Sequence, residues 1–242
     1  MLRKIIGGLA DIIYPKRCLA CKAPLAGAAS GDHYVCSKCW GEIKKNVPPF
    51  CSRCGRHLKK NNLAKNVCSG CARSELHFDR AFSPTLYEGT IKKLLHEFKY
   101  KGKDYLGATL TKPMLEFITE YRLPMEYMDL VIPVPLHNSK LREREFNQAH
   151  ILGSHIAREY KKEIRLDLLV RHRNTLTQTN LETGERLKNV KNCFSVTDGT
   201  AVTGKNILLV DDVLTTGATC SEAALALKNA GAGIVFALTL AN

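Results

Sequence analysis

Two spacings of apolar residues alternate through the last two thirds of this 242-residue chain. Ala81 to Tyr87 reads as a strand, and Ile91, Leu94, Leu95 and Phe98 then recur on one face of a helix within Thr90 to Phe98. Leu106 to Tyr121 predicts a second helix ending before Pro124, with Pro113 marking a kink or a late start. Asp129 to Leu136 is a strand that runs into Pro133 and Pro135. Prolines cannot donate to a ladder, so these two mark its exit and a rigid loop beyond. Asn147 to Lys161 places Ala149, Leu152, Ile156 and Tyr160 on one side of a further helix. Ile207 to Val210 is apolar without interruption, the pattern of a strand buried on both faces inside a parallel sheet. Cys220, Ala223, Ala224 and Leu227 then line a helix that stops at Ala230-Gly231, and Ile234 to Leu240 forms the last strand. The expected fold is α/β, a parallel sheet flanked by helices.

The apolar run at Ile207 to Val210 meets two acids, Asp211 and Asp212, and then the loop Thr215-Thr216-Gly217-Ala218-Thr219. In open α/β sheets ligands bind in the crevice beyond the carboxyl ends of the strands, which is where these residues fall. The loop also opens a helix. Unpaired amides and the positive end of the helix dipole favour a phosphate there, with threonine hydroxyls as added donors and Gly217 allowing close approach. Carboxylates would repel that phosphate, so Asp211 and Asp212 suit another part of the ligand, such as ribose hydroxyls or a magnesium ion.

Further candidates come from the same topology. The loop after the 129–136 strand carries Pro135, Leu136, His137, Lys140, Arg142 and Arg144 to the same crevice, a basic set suited to pyrophosphate. Leu168 to Val190 has little apolar periodicity but holds Arg171, Arg173 and Arg186. A lid of this kind would bring arginines over phosphate groups and exclude water, although a solvent-exposed connection has the same composition.

The N-terminal third has a different pattern. Four C-x-x-C pairs, Cys18/Cys21, Cys36/Cys39, Cys51/Cys54 and Cys68/Cys71, are separated by 14, 11 and 13 residues. Each pair places two sulfurs on one tight turn, and two turns complete a tetrahedral zinc site, which a disulfide scaffold does not require. Four thiolates leave no open position for a water, so the expected role is structural. The spacing leaves open which pairs join. Cys193 and Cys220 stand apart as ordinary thiols. The boundary falls between Ser74 and Asp79, giving regions 1–76 and 77–242.

Charge adds one consideration. The chain has 36 Lys and Arg against 23 Asp and Glu, and residues 1–80 hold 15 of the former and 5 of the latter. Two zinc–thiolate sites would each remove about two units, and the N-terminal region would stay basic. Arg53, Arg56, His57, Lys59, Lys60 and Lys65, with Tyr34, Trp40 and Phe50 nearby, suggest a groove for single-stranded nucleic acid. A solvated surface, with the aromatics packing the ribbons together, accounts for the same residues. Met1 to Tyr14 resembles a signal peptide in its basic start, but Asp11 and the spacing of its isoleucines favour an amphipathic helix. No apolar run approaches the roughly 18 to 20 residues of a membrane span, and a cytoplasmic protein is expected.

VDDVLTTGAT, at 210 to 219, resembles the phosphoribosyl pyrophosphate (PRPP) motif of type I phosphoribosyltransferases. FKYKG at 98 to 102, PVPLH at 133 to 137, FNQA at 146 to 149, QTNL at 178 to 181, Glu185-Arg186 and Asn189-Val190 extend a resemblance to the ComF family. That resemblance implies a type I phosphoribosyltransferase-like domain behind a double zinc ribbon. In it, Cys18, Cys21, Cys36 and Cys39 hold one Zn2+ and Cys51, Cys54, Cys68 and Cys71 the other. It further implies PRPP as substrate or ligand with Mg2+, single-stranded DNA and other competence proteins as partners, and a role in DNA uptake during natural competence. Asp211 and Asp212 would be the catalytic acids. The alternative is a nucleic-acid-binding accessory whose PRPP pocket is regulatory or vestigial. One departure stands out: the family usually has glycine before FNQ, and here it is Glu145.

Overall fold

The structure, a computed structural model, describes residues 16–25, 33–59, 63–174 and 190–242. The expected N-terminal helix, Lys60 and Arg186 lie outside these residues. After a short helix α1 (Ser37–Gly41), the elements follow as β1 (Arg80–Phe82), α2 (Gly89–Tyr100), α3 (Leu106–Glu120) and β2 (Leu130–Pro133). Next come α4 (Asn138–Arg144), α5 (Gln148–Glu159), β3 (Glu163–Ile164), β4 (Leu169–Arg171) and β5 (Phe194–Val196). The chain ends with β6 (Ile207–Val213), α6 (Ala218–Asn229) and β7 (Val235–Ala241).

Five strands form one parallel sheet in the order β1-β7-β6-β2-β3, with β6 near its centre. Because side chains alternate across a strand, β6 supplies both faces. Leu208 and Val210 join the core built on α2, α3 and α5, and Ile207 and Leu209 join the one that takes in α6, β4 and β5. All four are essentially inaccessible, and truncating one to alanine would cost about 2–5 kcal/mol through lost burial and a residual cavity.

The two ribbons belong to different cores. Cys18, Val35 and Cys39 of the first pack with the α2–α3–α5 face, and Cys51, Cys54, Leu58 and Cys71 of the second with the α6 face. Aromatic residues carry much of the first contact. Tyr34 lies against Tyr105 at 4.7 Å between ring centres, and Phe50 against Phe117 at 5.8 Å and Tyr121 at 5.2 Å. These rings pack the ribbon region onto α3. On the other side Gly55, at φ 69°, lies so close to Ala81 that a Cβ there would sit 2.3 Å from its carbonyl oxygen. Only glycine fits both the angle and the approach.

Four sequence-based expectations differ in detail. The first strand stops at Phe82, since Pro84 cannot continue a ladder; beyond it Thr85 makes isolated bridges to Lys45 and Ala241. Helix α3 starts at Leu106 and contains Pro113, so it does not begin late. Beyond Pro135 the chain winds into α4, which has no buried residue and hence no apolar stripe to read; His137 Nδ1 caps it by accepting from the Ser139 amide at 3.2 Å. Strand β6 continues through Asp211 and Asp212 to Val213, pairing Asp211 with Thr239, so the acids end the strand rather than follow it.

Candidate functional site

The carboxyl end of β6 gathers the sheet's charge. Lys99, one residue past the apolar stripe of α2, donates from Nζ to Asp212 Oδ1 at 2.8 Å, and both side chains are largely buried. Burial opposes the lysine's charge. Attraction to Asp212, the hydrogen bond to it and the nearby Asp211 more than offset that, so the pKa of Lys99 lies above the ordinary lysine value. Asp211 has the opposite balance. Burial first, and the adjacent Asp212 second, push its pKa up to about 7, while Lys99 and Arg171 hold it down only in part. Its Oδ1 accepts the Asp212 amide at 2.8 Å, and its Oδ2 lies 3.8 Å from the Cys220 sulfur. Burial and the two acids keep that thiol protonated.

Cations face the acids from three elements. Lys140 on α4 is destabilised as a cation by burial, then by Arg171 and Arg144, with Lys99 also near. Arg171 on β4 is lowered by burial and by Arg144 but supported by Asp211, and its guanidinium lies 5.4 Å from the Phe194 ring centre. Arg144 donates to Gln148 Oε1 at 3.2 Å and stands over Tyr100 at 5.2 Å. Lys99, Lys140, Arg144 and Arg171 thus converge near Asp211 and Asp212. Pro135 and Leu136 are half-buried residues between β2 and α4, leading into this group. Arg173 instead donates to the Lys191 carbonyl at 2.6 Å, bracing the two arms of the segment that β4 and β5 begin and end.

Glu145 has φ 67° and ψ −22°, the left-handed angle that glycine in its place would adopt without strain. The turn before Phe146 thus takes the left-handed conformation with a non-glycine residue in place. Asn147 follows as the N-cap of α5, accepting the Ala149 amide at 3.0 Å and donating to the Val134 carbonyl at 3.0 Å, which ties α5 to the loop after β2.

The loop from Thr215 to Thr219 enters α6 through Gly217, at φ 81°, with Leu76 and Phe78 packed beneath it. Thr216 Oγ1 accepts the Ala218 amide at 3.3 Å. Thr219 is half-buried in the first turn of α6. The outer side of the loop is held by the second ribbon: Arg56 Nη2 donates to the Leu214 carbonyl at 3.0 Å and to the Thr215 carbonyl. Arg53 donates to the Leu76 carbonyl at 2.6 Å. Two of the basic residues expected to line a nucleic-acid groove are therefore engaged inside the molecule. A cleft of about 820 Å³ lies between the second ribbon and Leu214, Thr215 and Thr216.

Lys99 and Arg56 are the residues that pattern reading missed as parts of this site. A lysine at the edge of an apolar helix face was the available signal for the first. The second gave none, because its partner is a main-chain oxygen.

The cysteines form two separate groups, Cys18, Cys21, Cys36 and Cys39, and Cys51, Cys54, Cys68 and Cys71. The first C-x-x-C pair therefore joins the second and the third joins the fourth, which settles the pairing that the spacing left open. Within each group the sulfurs lie within 4.8 Å of one another, with Cys21–Cys36 at 3.8 Å and Cys54–Cys68 at 3.6 Å. A tetrahedral zinc with Zn–S bonds of about 2.3 Å needs sulfurs about 3.8 Å apart, so the geometry fits the ion. Backbone amides support the sulfurs: Cys36 donates to Cys18 Sγ at 3.4 Å and Cys68 to Cys51 Sγ at 3.3 Å. Crowded thiols also cannot all ionise without a cation. Hydrogen bonds with Cys54 and Cys71 lower the pKa of Cys51, and the bond with Cys51 raises that of Cys54 to about 12.

Matches to two family models agree with this architecture. Residues 9–74 match the double zinc ribbon domain and residues 148–242 the phosphoribosyl transferase domain. Among relatives, the chain is 28% identical to competence protein F of Haemophilus influenzae, covering 89% of this chain and 92% of that one. It is 27% identical to the DNA utilization protein YhgH of Escherichia coli K12, covering 91% and 94%. Among solved structures it is similar to the glutamine PRPP amidotransferase of B. subtilis, with TM-score 0.37 and 19% identity over 59% of this chain and 30% of that chain. Competence protein ComFC of Bacillus subtilis is 32% identical over 83% of this chain and 80% of its own. With paired cysteine sites ahead of a parallel sheet and this likeness to ComFC over most of both lengths, the chain belongs to the ComF family.

Proposed function

We propose that the protein binds PRPP with magnesium at the end of β6 and acts as a phosphoribosyltransferase. The observation that carries this reading is the joining, on one strand end, of a carboxylate pair, converging cations and a loop that opens a helix. Thr215 to Thr219 would take the 5′-phosphate through main-chain amides, hydroxyls and the start of α6. Asp211 and Asp212 would face the ribose hydroxyls, and their charge would stabilise the cationic sugar as it forms. Magnesium, a hard cation suited to carboxylate, hydroxyl and phosphate oxygens, supplies charge neutralisation there. Lys99, Lys140, Arg144 and Arg171 would receive pyrophosphate, and Arg173 and Arg186 are further candidates for its charge. In the reaction a nitrogen nucleophile bonds to the anomeric carbon as the bond to pyrophosphate breaks.

The double ribbon, residues 1–76, would serve as a structural module on the transferase domain, residues 77–242. The relatives' names, competence protein and DNA utilization protein, support a role in DNA uptake; that role would be carried out in the cytoplasm, with single-stranded DNA and other competence proteins as partners. With Arg53 and Arg56 engaged internally, DNA contact would fall to Lys59, Lys65 and Arg73. An accessory protein that binds DNA and uses PRPP only as a regulator shares the same site and differs in releasing no pyrophosphate.

The test is a thermal shift with PRPP and magnesium. The wild-type protein should be stabilised, and Asp211→Asn combined with Asp212→Asn should abolish the magnesium-dependent part. An undiminished shift in the double variant would remove this strand end from consideration. Pyrophosphate release, screened against bases and oligonucleotides, separates enzyme from sensor.

A further inference from the structure

The contact between the Arg56 guanidinium and the phosphate loop joins residues 158 and 159 positions apart, and on the loop side it uses main-chain carbonyls only. Its consequence follows from peptide geometry. In a trans peptide the carbonyl of one residue and the amide of the next lie in one plane and point in opposite directions. The single cis bond among the described residues is Pro48–Pro49. Drawing the Leu214 and Thr215 carbonyls toward one nitrogen of Arg56 therefore turns the amides of Thr215 and Thr216 away from the ribbon. Neither amide donates to a protein acceptor among the described residues. Two successive free amides on one side form an anion-binding concavity.

Arg56 is itself fixed by the metal turn. It directly follows Gly55 and Cys54, its carbonyl accepts the Cys51 amide at 2.7 Å, and the Gly55 amide donates to the Cys51 carbonyl at 3.0 Å. Gly55 abuts Ala81 of β1, and the Ala81 amide donates to the Arg53 carbonyl at 2.7 Å. Arg56 is thus held at its main chain by the metal turn and at its guanidinium by the loop. The opposite side of the loop is held by Leu214, whose amide donates to the Ala241 carbonyl at 2.8 Å.

We propose that Arg56 is a positioning residue for the phosphate site, and that the second zinc ribbon is a working part of the ligand pocket. Arg56 shapes the loop that takes the 5′-phosphate without touching the ligand. This rests on the reading of the strand end as a PRPP site. Loss of the second metal, or oxidation of its thiols, would then weaken phosphate binding while leaving the carboxylate pair in place.

The experiment uses the full chain with both zinc ions, as wild type, Arg56→Ala, Arg56→Met and Arg56→Lys. Each is titrated with PRPP, ribose 5-phosphate and pyrophosphate in magnesium, and zinc content is measured for each. Losing the charge-assisted bonds to the loop should weaken PRPP and ribose 5-phosphate about tenfold in the Ala and Met variants. Pyrophosphate binding should be unchanged, and lysine, which can donate to one carbonyl, should restore part of the loss. Amide exchange should quicken at residues 214 to 219 and not at the cysteine turns. Equal weakening of all three ligands, or of none, would overturn the proposal while wild-type binding still upheld the PRPP site. Failure of the wild type to bind either sugar phosphate would overturn both.

Discussion

Lys99 Nζ and Asp212 Oδ1 stand 2.8 Å apart at the end of the central strand, in an ion pair that brings α2 to the sheet's most acidic point. Removing the cation leaves two adjacent carboxylates in a site that water scarcely reaches. Lys99→Met should lower stability by about 3–5 kcal/mol at pH 8, the usual cost of breaking a buried pair. The loss should shrink at pH 5, where Asp211, with its pKa near 7, is neutral and no longer repels its neighbour. Urea denaturation at the two pH values measures this, and a loss independent of pH would mean that the lysine acts only through packing.

The raised pKa of Asp211 has a second readout. An acid whose folded-state pKa is raised favours the fold below its unfolded value, near 4, and loses that advantage as pH rises through about 7. A ligand that needs the carboxylate charged behaves the opposite way. Magnesium-dependent PRPP affinity should climb about tenfold per pH unit below 7 and level off above it. In Asp211→Asn the slope should vanish, and calorimetric titration from pH 5.5 to 8.5 would detect its persistence.

Glu145 occupies a backbone angle that suits glycine. Glu145→Gly should stabilise the protein by about 0.5–1 kcal/mol, and Glu145→Ala should bring no gain, because it keeps the Cβ that causes the strain. Melting temperatures of the three proteins decide the matter; stabilisation by alanine would point to the side chain's charge instead.

Metal analysis should find two zinc ions per chain. The ribbons rest on different faces, so their loss should be felt in different places. Cys18→Ser should speed amide exchange near the end of α2, where Lys22 of the first ribbon meets Glu97 at 3.0 Å. Cys51→Ser should do so at β1 and at residues 214 to 219. Identical exchange maps for the two variants would show that the ribbons unfold as one.

Much of the fold is legible in the sequence because helix and strand spacings are carried by local apolar residues. The stripes of α2, α5 and α6 and the unbroken run of β6 are of this kind. Helix α4 is not, since a helix without a buried face leaves no periodic trace. The two acids and the threonine loop are contiguous, so their chemistry can be read directly. Lys99 and Arg56 find their partners 113 and 158 residues away, and no local pattern records such a pairing. The exact end of β6 depends on ladder partners, Thr239 and Ala241, that belong to another strand.

The seating of one ribbon on each side of the sheet bears on how the molecule can be dissected. A cut near residue 76 would strip an apolar cover from both sides of the sheet at once, and each fragment would emerge with sticky surfaces that the intact chain never shows. Separate expression should give aggregates, whereas the two pieces made together in the presence of zinc should recombine into a soluble pair.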